Sequence, residues 1–136
     1  MVIGIGIDIV STERVKHSLE RYGERFIRRI YCPGEIVYCS SRKEPHLHYA
    51  ARFAAKEALV KALGTGFRFG IKHTEIETKL NELGKPDILL YETAAAISRQ
   101  KEITRISLSL SHNDEQAIAI VIAEATPPTE TILRRI

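Results

Sequence analysis

Hydrophobic and polar positions along this chain follow two periods, and the switch between them marks out the elements. Residues 2–10, VIGIGIDIV, are almost all apolar and predict a buried strand. Ser11 or Thr12 can cap a helix that runs to about Arg21. Tyr22-Gly23 breaks it, and a short helical piece continues through Arg29. Pro33 suits a first helical turn, with Glu35 near the helix start. Cys32 then holds the cap position, where Ser, Thr or Asp would serve better. The longest helix spans residues 46–63, where Ala51, Ala54, Ala55, Ala58, Leu59 and Ala62 form an apolar stripe. So many alanines predict close packing on a flat surface. Gly64 ends that helix, and Gly64-Thr65-Gly66 opens a loop reaching Gly70. Residues 74–80 and 87–91 read as strands joined around Gly84-Lys85-Pro86, and residues 93–101 as a short Ala-rich helix. From Arg105 to His112, Ile106, Leu108 and Leu110 alternate with Ser107, Ser109 and Ser111, a strand with one buried face. Asn113-Asp114 turns the chain into a last apolar strand over residues 116–124. Helices early and strands late predict an α+β domain, an antiparallel sheet with a long central helix, over residues 1–125. A loose tail, 126–136, follows.

Composition adds little to this and excludes much. At 136 residues, 44% hydrophobic and 27% charged, the chain fits one soluble domain that needs no disulfide or structural metal to hold a core. No apolar run reaches the length of a membrane span, and the N-terminus lacks a basic leader, so a cytoplasmic protein with no membrane association is expected. Cys32 and Cys39 are too far apart along a single helix to bridge, and are expected as free thiols. The net charge is only +3, but Arg14, Lys16, Arg21, Arg25, Arg28 and Arg29 crowd the early helices. Such a face suits an acidic partner or phosphates, or is simply a solvated surface.

Two features bear chemistry. Asp8 lies inside an apolar strand, where an unpaired carboxylate is costly. It must be paired, bound to a cation, or exposed at the strand end as a helix cap. Glu57 and Lys61 stand four apart on the long helix. They form either a surface ion pair, which the spacing alone favours, or a carboxylate and an ammonium facing one site. On the second reading Asp8 and Glu57 offer two carboxylates to a hard cation such as Mg²⁺, and Lys61 neutralises phosphate. Gly64-Thr65-Gly66 could bring backbone N–H groups to a phosphate, although GxxxxGK[ST] is absent and Gly4-Ile5-Gly6 does not extend to GxGxxG. Ser111, His112 and Asp114 do not suit a triad, because strand neighbours face opposite ways. His46 and His48 lack a third ligand and read as solvent-exposed.

Together, Gly6-Ile7-Asp8-Ile9-Val10 with Arg14, Arg52-Phe53-Ala54-Ala55-Lys56-Glu57-Ala58 continuing through Lys61 to Gly66, Gly84-Lys85-Pro86, and Ser109-Leu110-Ser111-His112 resemble, in order, the motifs of holo-[acyl-carrier-protein] synthases. The likeness runs from about residue 3 to 124. Ser11 stands where that family usually has an acidic residue, and Cys32 where it has Thr. The resemblance implies a 4′-phosphopantetheinyl transferase-like fold and transfer of phosphopantetheine from coenzyme A to a serine of an acyl carrier protein, in support of fatty acid biosynthesis. It implies Mg²⁺ on Asp8 and Glu57, with Glu57 as a possible base. Lys61 would contact phosphate, Gly64, Thr65 and Gly66 would line the coenzyme A site, and His112 would lie near phosphate or the metal's water shell. It further implies a homotrimer with active sites between subunits, and docking of the carrier protein on Arg14, Arg21, Arg25 and Arg28. Two other readings compete. A Mg²⁺-dependent pyrophosphohydrolase would leave the basic helices without a purpose. A nucleic-acid-binding module would leave Asp8 unexplained, and only Tyr22, Phe26 and Tyr31 interleave the basic residues; nucleic acid is therefore not expected as a partner.

Overall fold

A computed structural model describes residues 1–127. Strand β1, Val2–Ser11, leads into helices α1, Thr12–Tyr22, α2, Glu24–Ile30, α3, Pro33–Ser40, and α4, Pro45–Leu63. A 3₁₀ turn at His73–Glu75 precedes β2, Ile76–Leu80. Strand β3, Pro86–Leu90, helix α5, Glu92–Gln100, and strands β4, Arg105–His112, and β5, Gln116–Glu124, complete the order. The strands fall into two antiparallel sheets: β1-β5-β4, and a β2-β3 hairpin. The expectation of a strand from residue 74 is corrected at its start. There the Glu75 carboxylate accepts from the N–H of Lys72 at 3.3 Å and of Ala94 at 2.9 Å, which folds the backbone into a turn and ties it to the start of α5.

Helix α4 lies across β1 and β5, and small residues permit the approach. In β5, Ala119, Val121 and Ala123 are buried on the α4 side, against Ala54, Ala55, Ala58 and Ala62, and Ala117 is buried with Ala50 and Ala51. In β1, Gly4 and Gly6 face the helix. A Cβ on Gly4 would fall onto the Ala62 carbonyl oxygen, and one on Gly6 onto that of Ala58. Glycine is required there for backbone to meet backbone. The opposite sheet face is different. Ile7 pairs with Ile120 and Ile9 with Ile118, and all four are exposed together with Ile3 and Ile5. No described element covers them.

A buried ion pair joins the two halves of the fold. Lys56 Nζ donates to Glu35 Oε1 at 2.7 Å, to the His73 carbonyl at 3.0 Å and to the Ile76 carbonyl. Glu35 also accepts from Cys32 N–H at 2.9 Å and Thr78 N–H at 3.0 Å. Both side chains are fully buried, so the pair stands only because every remaining polar atom is met. Glu35 supplies the start of α3 with the acceptor that its cysteine cap does not. Cys32 and Cys39 are both free and buried, and burial pushes each thiol up to about 12. No helix among the described residues is long and apolar enough to cross a membrane.

Candidate active site

Asp8 owes its position to strand alternation. Gly4, Gly6, Asp8 and Val10 share the α4 face, while the intervening isoleucines face away. Its carboxylate therefore projects toward α4, where Lys61 Nζ donates to Asp8 Oδ1 at 3.1 Å and to the Ile7 carbonyl at 3.0 Å. Asp8 is thus paired, and it does not cap α1. That task falls to Ser11, whose hydroxyl accepts from Arg14 N–H at 3.3 Å. The surface pair that spacing favoured for Glu57 and Lys61 is replaced: Lys61 turns to the strand, and Glu57 Oε1 lies 3.5 Å from His73 Nε2.

Asp8, Glu57 and Arg14 line one cleft of about 370 Å³, with Phe26 and Phe53. Three segments distant in sequence thereby place two carboxylates and a guanidinium around one space, and the Lys61 ammonium stands behind Asp8, to which it donates. The carboxylate side chains keep 17% and 28% of their surface, enough to meet a ligand while partly shielded from water. Among the described residues no group of three His, Cys, Asp or Glu converges to cage a metal by protein alone. A pair of carboxylates suits a cation that takes its other oxygens from phosphate and water.

Other expected residues lie elsewhere. The N–H of Gly64 donates to the Lys61 carbonyl, and those of Thr65 and Gly66 to the Val60 carbonyl. These amides close the end of α4 and are not open to phosphate in this structure, which corrects the expectation of an anion-binding turn. His112 ends β4 and is level with Val10 across β5, outside the Asp8 cleft. Its ring meets His48 at 5.3 Å. His48 is half-buried rather than exposed as expected; burial, then the charges of His112, Arg42 and Arg52, hold it below the usual histidine value. Arg21 stacks on Tyr22 at 5.5 Å, Arg28 pairs with Glu24 at 3.3 Å, and Arg25 sits with Phe26 and Arg29 on a neighbouring groove.

Sequence reasoning assigned no role to Arg52. Its guanidinium is buried, lies 4.1 Å from the Tyr38 ring centroid, and leaves Nε without a hydrogen-bond partner. The signal was an arginine within an alanine stripe. With His48 and Arg42 around Tyr38, and His112 beyond, it forms a second cluster of two arginines and two histidines.

Known proteins resemble this chain in sequence and fold. Residues 4–121 match the 4′-phosphopantetheinyl transferase superfamily. A holo-[acyl-carrier-protein] synthase of Solibacter usitatus is 43% identical over 91% of this chain and 99% of its own. The crystal structure of the synthase from Neisseria meningitidis superposes with a TM-score of 0.84 at 36% identity, covering 91% of this chain and 99% of the other. That of Bacillus anthracis, solved in complex with CoA (3′,5′-ADP), gives 0.76 at 33% identity, covering 93% and 99%. The chain belongs to the 4′-phosphopantetheinyl transferase superfamily, among its holo-[acyl-carrier-protein] synthases.

Proposed function

We propose that this enzyme transfers 4′-phosphopantetheine from coenzyme A to a serine of an apo-acyl carrier protein, at the cleft lined by Asp8, Glu57 and Arg14, with Lys61 bonded to Asp8. The serine hydroxyl oxygen attacks the β-phosphorus, the bond to the bridging oxygen breaks, and 3′,5′-ADP leaves with the electron pair. The serine proton passes to Glu57, directly or through water. The observation that carries this reading is the meeting of β1 and α4, which brings both carboxylates to one cleft and bonds the Lys61 ammonium to one of them.

Asp8 and Glu57 would hold Mg²⁺, which supplies charge neutralisation on the pyrophosphate. The donor set fits, since Mg²⁺ commonly takes one or two carboxylates and completes its shell with phosphate and water. Lys61, already fixed on the strand edge, neutralises phosphate charge beside it. Phosphoryl transfer asks chiefly for positioning and charge neutralisation, and these residues provide both. Gly64, Thr65 and Gly66 would border coenzyme A by their compact turn rather than by their amides. Arg14 would lie at the rim of the cleft, with Arg21, Arg25 and Arg28 outward on the same basic surface, where the acidic carrier protein docks.

The reading includes a homotrimer with sites shared between subunits. The isoleucine face of β1 and β5 supports it, because an uncovered apolar sheet of this kind marks an interaction surface. A cytoplasmic location belongs to the same reading, and the two free thiols fit it. The deciding experiment incubates the enzyme with coenzyme A, Mg²⁺ and apo-carrier protein. A carrier mass increased by one phosphopantetheine supports the proposal; release of 3′,5′-ADP without modified carrier would instead identify a hydrolase. Light scattering that gives the 15.3 kDa monomer mass under active conditions would overturn the trimer.

A further inference from the structure

We propose that His73 is a positioning residue that holds the Glu57 carboxylate in its metal-binding orientation; this rests on the reading of Glu57 as a Mg²⁺ ligand. Three constraints fix the imidazole. Its ring stacks on Phe67, with centroids 3.8 Å apart and planes at 17°, and on Phe53 at 5.8 Å and 23°. Its backbone carbonyl accepts from Lys56 Nζ at 3.0 Å. Lys56 is itself locked onto Glu35 at 2.7 Å and immediately precedes Glu57 on α4. The same turn of helix therefore anchors the His73 backbone from the buried side and presents the carboxylate from the cleft side.

The result is an imidazole Nε2 held 3.5 Å from Glu57 Oε1, with little room to swing away. That distance is an electrostatic contact that a small rotation of the carboxylate turns into a hydrogen bond. With Oε1 directed to the imidazole, Oε2 is left for the cation. A free glutamate side chain loses rotamer freedom on being fixed. The stacked histidine restricts Glu57 before the metal arrives. Partners of this kind, which orient a ligand without touching the metal, typically contribute about 10–100-fold in metal affinity.

The test uses Mn²⁺ as the probe, its affinity for the enzyme with coenzyme A read from the electron paramagnetic resonance signal of free Mn²⁺. His73→Phe keeps a stacked ring and removes the N–H, and His73→Leu is a second donor-free variant should the first not fold. Both are expected to weaken Mn²⁺ binding about 10-fold, with the KM for carrier protein unchanged. His73→Gln restores a donor and should stay within about 3-fold of wild type on the same scale. Donor-free variants that bind Mn²⁺ as wild type does, or a glutamine variant no better than they are, would overturn the inference and leave His73 as packing. Glu57→Gln is measured alongside. If it too leaves Mn²⁺ binding intact, the ligand assignment itself has failed; if it alone weakens binding, only the role of His73 has.

Discussion

Gly6→Ala tests how tightly the chemistry depends on backbone contact between β1 and α4. A Cβ at Gly6 would meet the carbonyl oxygen of Ala58 and, at 2.8 Å each, the Ala58 carbonyl carbon and the Ala62 nitrogen. Real Cβ atoms essentially never come closer than 3.0 Å to such neighbours. All three are helix backbone, so no side chain can rotate aside. Strand and helix must part by roughly 1 Å, at an overpacking cost of about 1–3 kcal/mol. Asp8 is two residues along on the moving strand, while Glu57 and Lys61 ride on the helix, so the 3.1 Å contact between Lys61 and Asp8 opens with the gap. A misplacement of about 1 Å can cost about 100-fold in rate, equivalent to roughly 2.7 kcal/mol on the barrier. We expect kcat/KM to fall about 100-fold while Tm falls by roughly 5–10 °C. Adding Ala58→Gly should not rescue either, because the obstruction is the Ala58 carbonyl and not its methyl group. A folded Gly6→Ala enzyme with wild-type kcat/KM would refute the coupling between this contact and the site.

Three further outcomes are expected. Asp8→Ala and Glu57→Ala should each remove most phosphopantetheine transfer yet remain folded by circular dichroism, since neither side chain is needed for the core; near-normal turnover of Asp8→Ala at ordinary Mg²⁺ would count against the ligand assignment. Lys56→Met leaves the Glu35 carboxylate buried beside no cation and strips two carbonyls of their donor, so urea denaturation should show a loss of about 3–5 kcal/mol; a loss under about 1 kcal/mol would mean that the pair is not essential. Arg14→Glu should raise the KM for carrier protein more than Arg14→Ala does and leave that for coenzyme A nearly unchanged, with the wild-type effect fading as salt rises; an unchanged carrier-protein KM would reduce the arginine face to solvation.

Periodicity made most of the architecture legible. The strand from Arg105 to His112 was readable because isoleucine and leucine alternate with serine, and that from Gln116 to Glu124 because an apolar run follows the Asn113-Asp114 turn. Asp8 was readable because a carboxylate in an apolar run demands an explanation. Buried charges within helices were not. Glu35 and Lys56 look like surface residues until α3 and α4 are brought together, and their partners lie 21 positions apart. Glu57 and Lys61 misled in the opposite direction: the spacing suits an ion pair, but each side chain finds a better-placed partner on another segment. The 3₁₀ turn at His73–Glu75 was hidden for the same reason, because a carboxylate bonding to the backbone 19 residues away leaves no local pattern. The residues past Pro127, expected as a tail, lie outside those described.

The pairing of β1 with β5 sets the order in which this enzyme can come into being. Val2 faces Glu124 and Asp8 faces Ala119, so the strand that carries the first acidic residue has its central neighbour at the far end of the chain. During synthesis β1 emerges first and must wait, unpaired and rich in isoleucine, while more than a hundred residues follow; α4 can form beside it but cannot seat it in a sheet. Pairings so distant in sequence close slowly and leave apolar edges open in the interval. The strand that positions Asp8 thus depends, for its place in a sheet, on a partner made more than a hundred residues later.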